Sequence, residues 1–171
     1  MSIWVRVVLS NPLGDTLSAT NLREGIAERL TLLTYLFCPE DEEDPKDVLN
    51  RLQIEPIRDD RSFLLKYRLD DLFIRLDIGG GDIEEERQEL ESNLEGLAGH
   101  GVRVVKEALS ATREIAAFAL KAHDLDSMGW PLTIAAAAYL ADKGGGLIQA
   151  DGRGWMRPTE KEIEFVLEDE R

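Results

Sequence analysis

Ile3, Val5, Val7 and Leu9 alternate with Trp4, Arg6 and Val8, the two-residue period of a half-buried strand over 3–9. The turn-forming run Asn11-Pro12-Leu13-Gly14-Asp15 ends it. The period then lengthens: Leu22, Ile26, Leu30, Leu33 and Phe37 recur at helical spacing behind Asn21 and Glu24, which read as a capping box. A helix over about 21–37 follows, weakened at Gly25 by roughly 1 kcal/mol and stopped by Pro39. Between Pro39 and Pro45 stand five consecutive carboxylates, whose repulsion and fixed proline dihedrals predict an exposed loop over 39–45, with a short helix at 46–53.

Two alternating runs, 62–69 and 72–78, flank Asp70-Asp71 and predict a hairpin, although the turn lacks glycine. Gly79-Gly80-Gly81 breaks the second strand. Asp82 is placed to cap a helix carrying Ile83, Leu90, Leu94 and Leu97 on one face. Gly99-His100-Gly101 interrupts it before a second helical piece from Val102 to about Ser110. Residues 113–121 fit a strand or a continuing helix; the strand is preferred because the flanking segments then form a coherent unit. Pro131 suits the first turn of an alanine-rich helix reaching about Asp142, closed by Gly144-Gly145-Gly146 and followed by a buried strand at 147–150. Trp155-Met156 reads as a further strand or a plug, with Trp130 and Trp155 closing the core. Thr159 and Glu162 form a capping box before Ile163, Val166 and Leu167, which predicts a short amphipathic C-terminal helix over about 159–169.

These elements define a single α+β domain spanning 1–171, with a mixed or mainly antiparallel sheet and helices packed mostly on one face. The 171 residues carry 34 acids against 20 Lys and Arg, a net charge of −14. That balance argues against nucleic acid as a partner, since phosphate recognition needs a basic surface. No apolar run approaches a membrane span, and the N-terminus lacks a signal-peptide pattern. The expectation is a cytoplasmic protein whose self-association is left open.

Candidate chemistry is thin. The glycine triplets lack the P-loop and dinucleotide spacings, so no nucleotide cofactor is expected. Cys38, His100 and His123 have no metal-ligand spacing, and a calcium-loop reading of 124–135 fails because Ala135 stands where a bidentate carboxylate is needed. G-x-S-x-G is absent, and Cys38 beside Phe37 reads as a buried small hydrophobe. No catalytic residues, metal or cofactor are therefore expected. A small hydrolase would have to use the polar segment 123–126, through His123, Asp124 or Asp126, and would need those side chains to converge. The loop residues Asp41, Glu42, Glu43 and Asp44 are the candidate contacts for a cationic partner.

The run ALKAHDLDSMGWPLTIAAAAYLADKGGGLIQADGRGWM, through Ala137, Leu140, Ala141, Gly145, Gly146, Ile148, Asp151, Gly154 and Trp155, resembles the strand–helix–strand end of bacterial immunity proteins of polymorphic toxin systems. The resemblance covers about a quarter of the chain. It implies an α+β domain, a cytoplasmic bacterial protein and a non-catalytic role in binding a cognate protein toxin, and it brings no active-site residues. A structural adaptor subunit is the remaining alternative.

Overall fold

The computed structural model describes residues 2–13, 16–57, 61–79, 81–160 and 162–169. Its elements run β1 (Ile3–Leu9), α1 (Ala19–Phe37), α2 (Pro45–Arg51), β2 (Gln53–Ile57), β3 (Ser62–Lys66), β4 (Ile74–Ile78), α3 (Ile83–Ser92), α4 (His100–Ala111), β5 (Glu114–Leu120), α5 (Ala122–Leu125), α6 (Gly129–Gly144), β6 (Gly146–Ala150), β7 (Gly154–Pro158) and β8 (Ile163–Glu168). The eight strands form one open antiparallel sheet in the order β2-β3-β4-β5-β1-β6-β7-β8. The first strand of the chain thus lies inside the sheet, between β5 and β6.

Alternation in β1 decides what each face holds. Val5, Val7 and Leu9 point into the larger core with α1, α2 and α6, whereas Val8 joins Leu147, Ile115 and Trp155 beneath α3 and α4. Most of the helix therefore lies on one face, with the α3–α4 pair covering part of the other. Helix α6 is apolar around its whole circumference because it is sandwiched, sheet on one side and α1 on the other. Its alanines allow a close approach, and α1 answers with Gly25: a Cβ there would stand 2.2 Å from the Tyr139 ring.

Several elements differ from the sequence reading. Helix α1 starts earlier, because Ser18 rather than Asn21 is its cap: the Ser18 hydroxyl accepts the Asn21 N–H at 3.1 Å, and the Asn21 amide instead donates to the Thr16 carbonyl. Gly99 and His100 open α4 rather than merely interrupting a helix, with Gly99 at φ 118°. Strands β3 and β4 are shorter than 62–69 and 72–78 and are joined by residues 67–73. Asp-Asp cannot readily take the left-handed dihedrals of a two-residue hairpin turn. Instead, Asp70 Oδ1 accepts the Leu72 N–H at 3.1 Å, and Tyr67 leaves the ladder to bury its ring. Strand β2 was not expected; it is a short edge strand with Pro56 in it, a residue such an edge tolerates.

The predicted helix at 159–169 is a strand. Thr159 and Glu162, the supposed capping box, close the β7–β8 turn: the Thr159 hydroxyl accepts the Glu162 N–H, and the Thr159 N–H donates to the Glu162 carbonyl. A bulge opposite Trp155 and Met156 then leaves both Val166 and Leu167 half-buried against the α3–α4 cluster. Helix α4 sits so close on β8 that a Cβ on Gly101 would come within 2.2 Å of the Val166 carbonyl oxygen. Pairing with β7 and packing under α4 satisfy the segment better than an isolated short helix could.

Candidate functional site

Antiparallel pairing places particular turns together. Lys66 pairs with Gln53, Leu65 with Ile74, Arg75 with Ala119, Ile3 with Leu120, Val5 with Ala150, and Gly154 with both Ala150 and Glu168. One end of the sheet therefore carries the β3–β4 connection, the entrance to α5, the β6–β7 turn and the end of β8. These segments bring Asp70, Asp71, Asp126, Asp151, Glu168 and Asp169 to that end, all exposed.

The acidic loop joins the same end. Helix α1 stops at Cys38, whose left-handed φ of 45° turns the chain while its N–H caps the Thr34 carbonyl. Cys38 is thereby exposed rather than buried, and Phe37 takes the inward place, edge-on to Trp130. The loop that follows is fastened at three points. The Asp41 N–H donates to the Asp126 carbonyl at 2.9 Å, and Asp41 bridges to Ser127. Glu43 takes both its hydrogen bonds from the Arg51 guanidinium at 2.7 Å, while Arg51 Nε donates to the Tyr67 carbonyl at 2.5 Å. Asp44 caps α2 by accepting the Lys46 N–H. Of the four residues singled out from sequence, Glu43 and Asp44 hold the loop in shape, and the exposed side chains of Asp41 and Glu42 stay available to a partner.

Beside the loop lies a shallow depression of about 440 Å³ lined by Asp41, Glu43, Arg51, Tyr67, Arg68, Leu69, Asp70 and Ser127, with Arg68 paired to Asp70 at 3.0 Å. Leu69 is 94% exposed, and Leu72 and Phe73 on the same connection are also exposed. Tyr35, at 81%, and Leu36 stand on the last turn of α1 just before the acidic loop. Apolar side chains within a polar, charged rim are the composition of a protein-contact surface, and here the arginines of the rim are taken up by Glu43 and Asp70 while Asp41 is exposed. Alternation along the sequence predicts Leu69 and Leu72 as strand positions; β3 ends at Lys66, and both side chains are exposed.

Within the 123–126 segment His123 and Asp124 lie side by side, and Asp126 stands apart from them. Asp124 is 1% exposed and faces inward; its Oδ1 accepts the Tyr67 hydroxyl at 2.5 Å and its Oδ2 accepts the Lys121 N–H at 2.8 Å. Asp126 points to solvent, and His123 is half-buried with Nε2 3.4 Å from Asp124 Oδ1. Asp124 is thus a structural anchor, closing the α5 entrance with Tyr67 and Ser127. Burial first, and the Asp124 carboxylate second, push the Tyr67 phenol above its ordinary range. Among the described residues no group of three or more His, Cys, Asp or Glu side chains is arranged to hold a metal ion. Nor is any described helix long and apolar enough to cross a membrane.

Comparison with known proteins found no matching family model, no similar curated protein and no similar solved structure.

Proposed function

We propose that this protein is an immunity protein that binds and neutralises a basic protein toxin in the cytoplasm of the cell that makes it. The observation that carries this reading is the acidic end of the sheet described above, where a fastened carboxylate loop borders exposed Leu69. A loop already held by Arg51 and the Asp41 bridge loses little conformational freedom on docking. Its charge, within a net −14, accelerates encounter with a cationic partner. The resemblance of the 119–156 run to immunity proteins names the kind of partner. The hydrolase alternative is less favoured, because Asp126 is exposed to solvent apart from the His123–Asp124 contact and Asp124 is already engaged by Tyr67 and the Lys121 N–H. The test is co-expression of the neighbouring gene's product with and without this chain. The expected result is a neighbour that kills alone, is harmless in company and co-purifies as a complex. A neighbour that is harmless alone, or lethal despite a stable supply of this protein, would overturn the proposal. Co-purification with a non-toxic neighbour would indicate an adaptor instead.

A further inference from the structure

At the same acidic end, on the face covered by α3 and α4, lies a groove of about 640 Å³. That is within the size of clefts that hold ligands, roughly 300–1,000 Å³. Its walls are Leu90, Leu94, Leu97, Val102 and Trp155, supplied by the α3–α4 helices, the turn between them and β7. Leu97 stands at the mouth, 50% exposed. The rim on the strand side is Asp151, Glu168 and Asp169. Asp151 is tied into the sheet: it accepts from Arg6, from Gln149 and from the Trp4 N–H. Arg153, the cation of the same turn, is drawn to the other face of the sheet, where its guanidinium lies 5.4 Å from the Trp130 ring centre. Glu168 and Asp169 therefore border an apolar trough from exposed positions.

The geometry points to a specific occupant: a segment of the partner protein bearing a leucine-like or aromatic side chain flanked by Lys or Arg. The apolar group would rest against Trp155, Leu94 and Leu97. The long aliphatic stem of the basic residue would follow the wall, with its charged head reaching Glu168 and Asp169. Such a segment matches both halves of the groove, whereas an acidic segment would meet like charge and a purely polar basic one would leave the wall uncovered. This inference rests on the reading of the acidic end as a partner-binding surface and names what the partner must present.

The test uses the full-length protein, isotope-labelled for NMR, and three synthetic peptides: alternating Leu and Lys, alternating Ser and Lys of the same charge, and alternating Leu and Glu. The Leu-Lys peptide is expected to shift the signals of Leu94, Leu97, Gly152 and Trp155. Its affinity should exceed that of the Ser-Lys peptide by about tenfold or more, and Leu-Glu should not bind. Two surface variants, Leu97→Ser and the pair Glu168→Lys with Asp169→Lys, should each weaken Leu-Lys binding by about tenfold, with the spectrum away from the groove unchanged as a check on folding. Equal binding of the Ser-Lys peptide, unchanged affinity in both variants, or shifts confined to 41–44 and 69–73 would each overturn the assignment. Failure of the co-expression assay leaves the peptide result intact, and failure of the peptide result leaves neutralisation to the acidic loop, so the two proposals fail separately.

Discussion

The Tyr67 hydroxyl donates to Asp124 Oδ1 at 2.5 Å across 57 positions of chain, and both side chains are at most 1% exposed. Because the other Asp124 oxygen holds the Lys121 N–H, this pair locks the β3–β4 connection to the entrance of α5. Arg51 reads the carbonyl of the same Tyr67 and the carboxylate of Glu43. Tyr67 is thus the point from which the acidic loop, the exposed Leu69 connection and the α5 turn take their mutual placement.

Tyr67→Phe keeps the ring and removes the donor, leaving a buried carboxylate oxygen short of a partner. The expected loss is about 1.5–3 kcal/mol, read from urea unfolding with an unchanged slope. The pH dependence has a definite sign. The folded phenol is raised above its ordinary value, so its contribution is complete below about pH 10 and declines above it, where the unfolded chain gives up the proton first. Tyr67→Phe should flatten this alkaline decline; a variant within about 0.5 kcal/mol of the parent would show that the contact carries little.

Gly25→Ala sets helix propensity against packing. Alanine improves an exposed helix by about 1 kcal/mol, but here its methyl group would stand 2.2 Å from Cγ of Tyr139. Cγ lies near the α6 backbone and cannot swing aside, so α1 must move. Overpacking of this kind costs about 1–3 kcal/mol and should win. Combining Gly25→Ala with Tyr139→Ala should recover part of the loss, and a double-mutant cycle by thermal or urea unfolding measures the coupling.

Arg51→Ala should free the acidic loop without unfolding the domain, because it removes the Glu43 contacts and the bond to the Tyr67 carbonyl at a partly exposed site. Limited proteolysis should then cut within 39–45 faster than in the parent, with global stability lowered by about 1 kcal/mol or less. Equal cleavage rates would mean that the Asp41 bridge and the Asp44 cap hold the loop without Arg51.

Charge reversal at Asp41 and Glu42 touches side chains that leave the loop anchors alone. If a basic partner docks there, the double reversal should slow association by about tenfold at low salt and flatten its salt dependence, with dissociation less affected. Stopped-flow association at two ionic strengths checks this. An unchanged rate would shift the contact towards the groove bounded by Glu168 and Asp169.

Local periodicity was enough to define β1 and the core of α1, because burial on one face writes a repeat into neighbouring residues; α6 was legible from Pro131 and its closing glycines, and the strand at 114–120 only from the segments that flank it. The acidic loop was legible as well, since five adjacent carboxylates between prolines exclude regular structure on local grounds. What local pattern could not decide was pairing. Thr159 and Glu162 offer the same hydrogen-bonding groups to a helix start and to a strand turn, and the free edge of β7 with α4 above it selected the turn. Residues 67–73 continue a strand-like alternation, yet the buried place for Tyr67 beside Asp124 drew the chain out of the ladder and left Leu69 in solvent. The convergence of Asp70, Asp126, Asp151 and Glu168 follows from strand order and register, and Asp41 joins them through the turn at Cys38 and its backbone bond to Asp126. Order and register are set by contacts between segments far apart in sequence, where no short-range period records them.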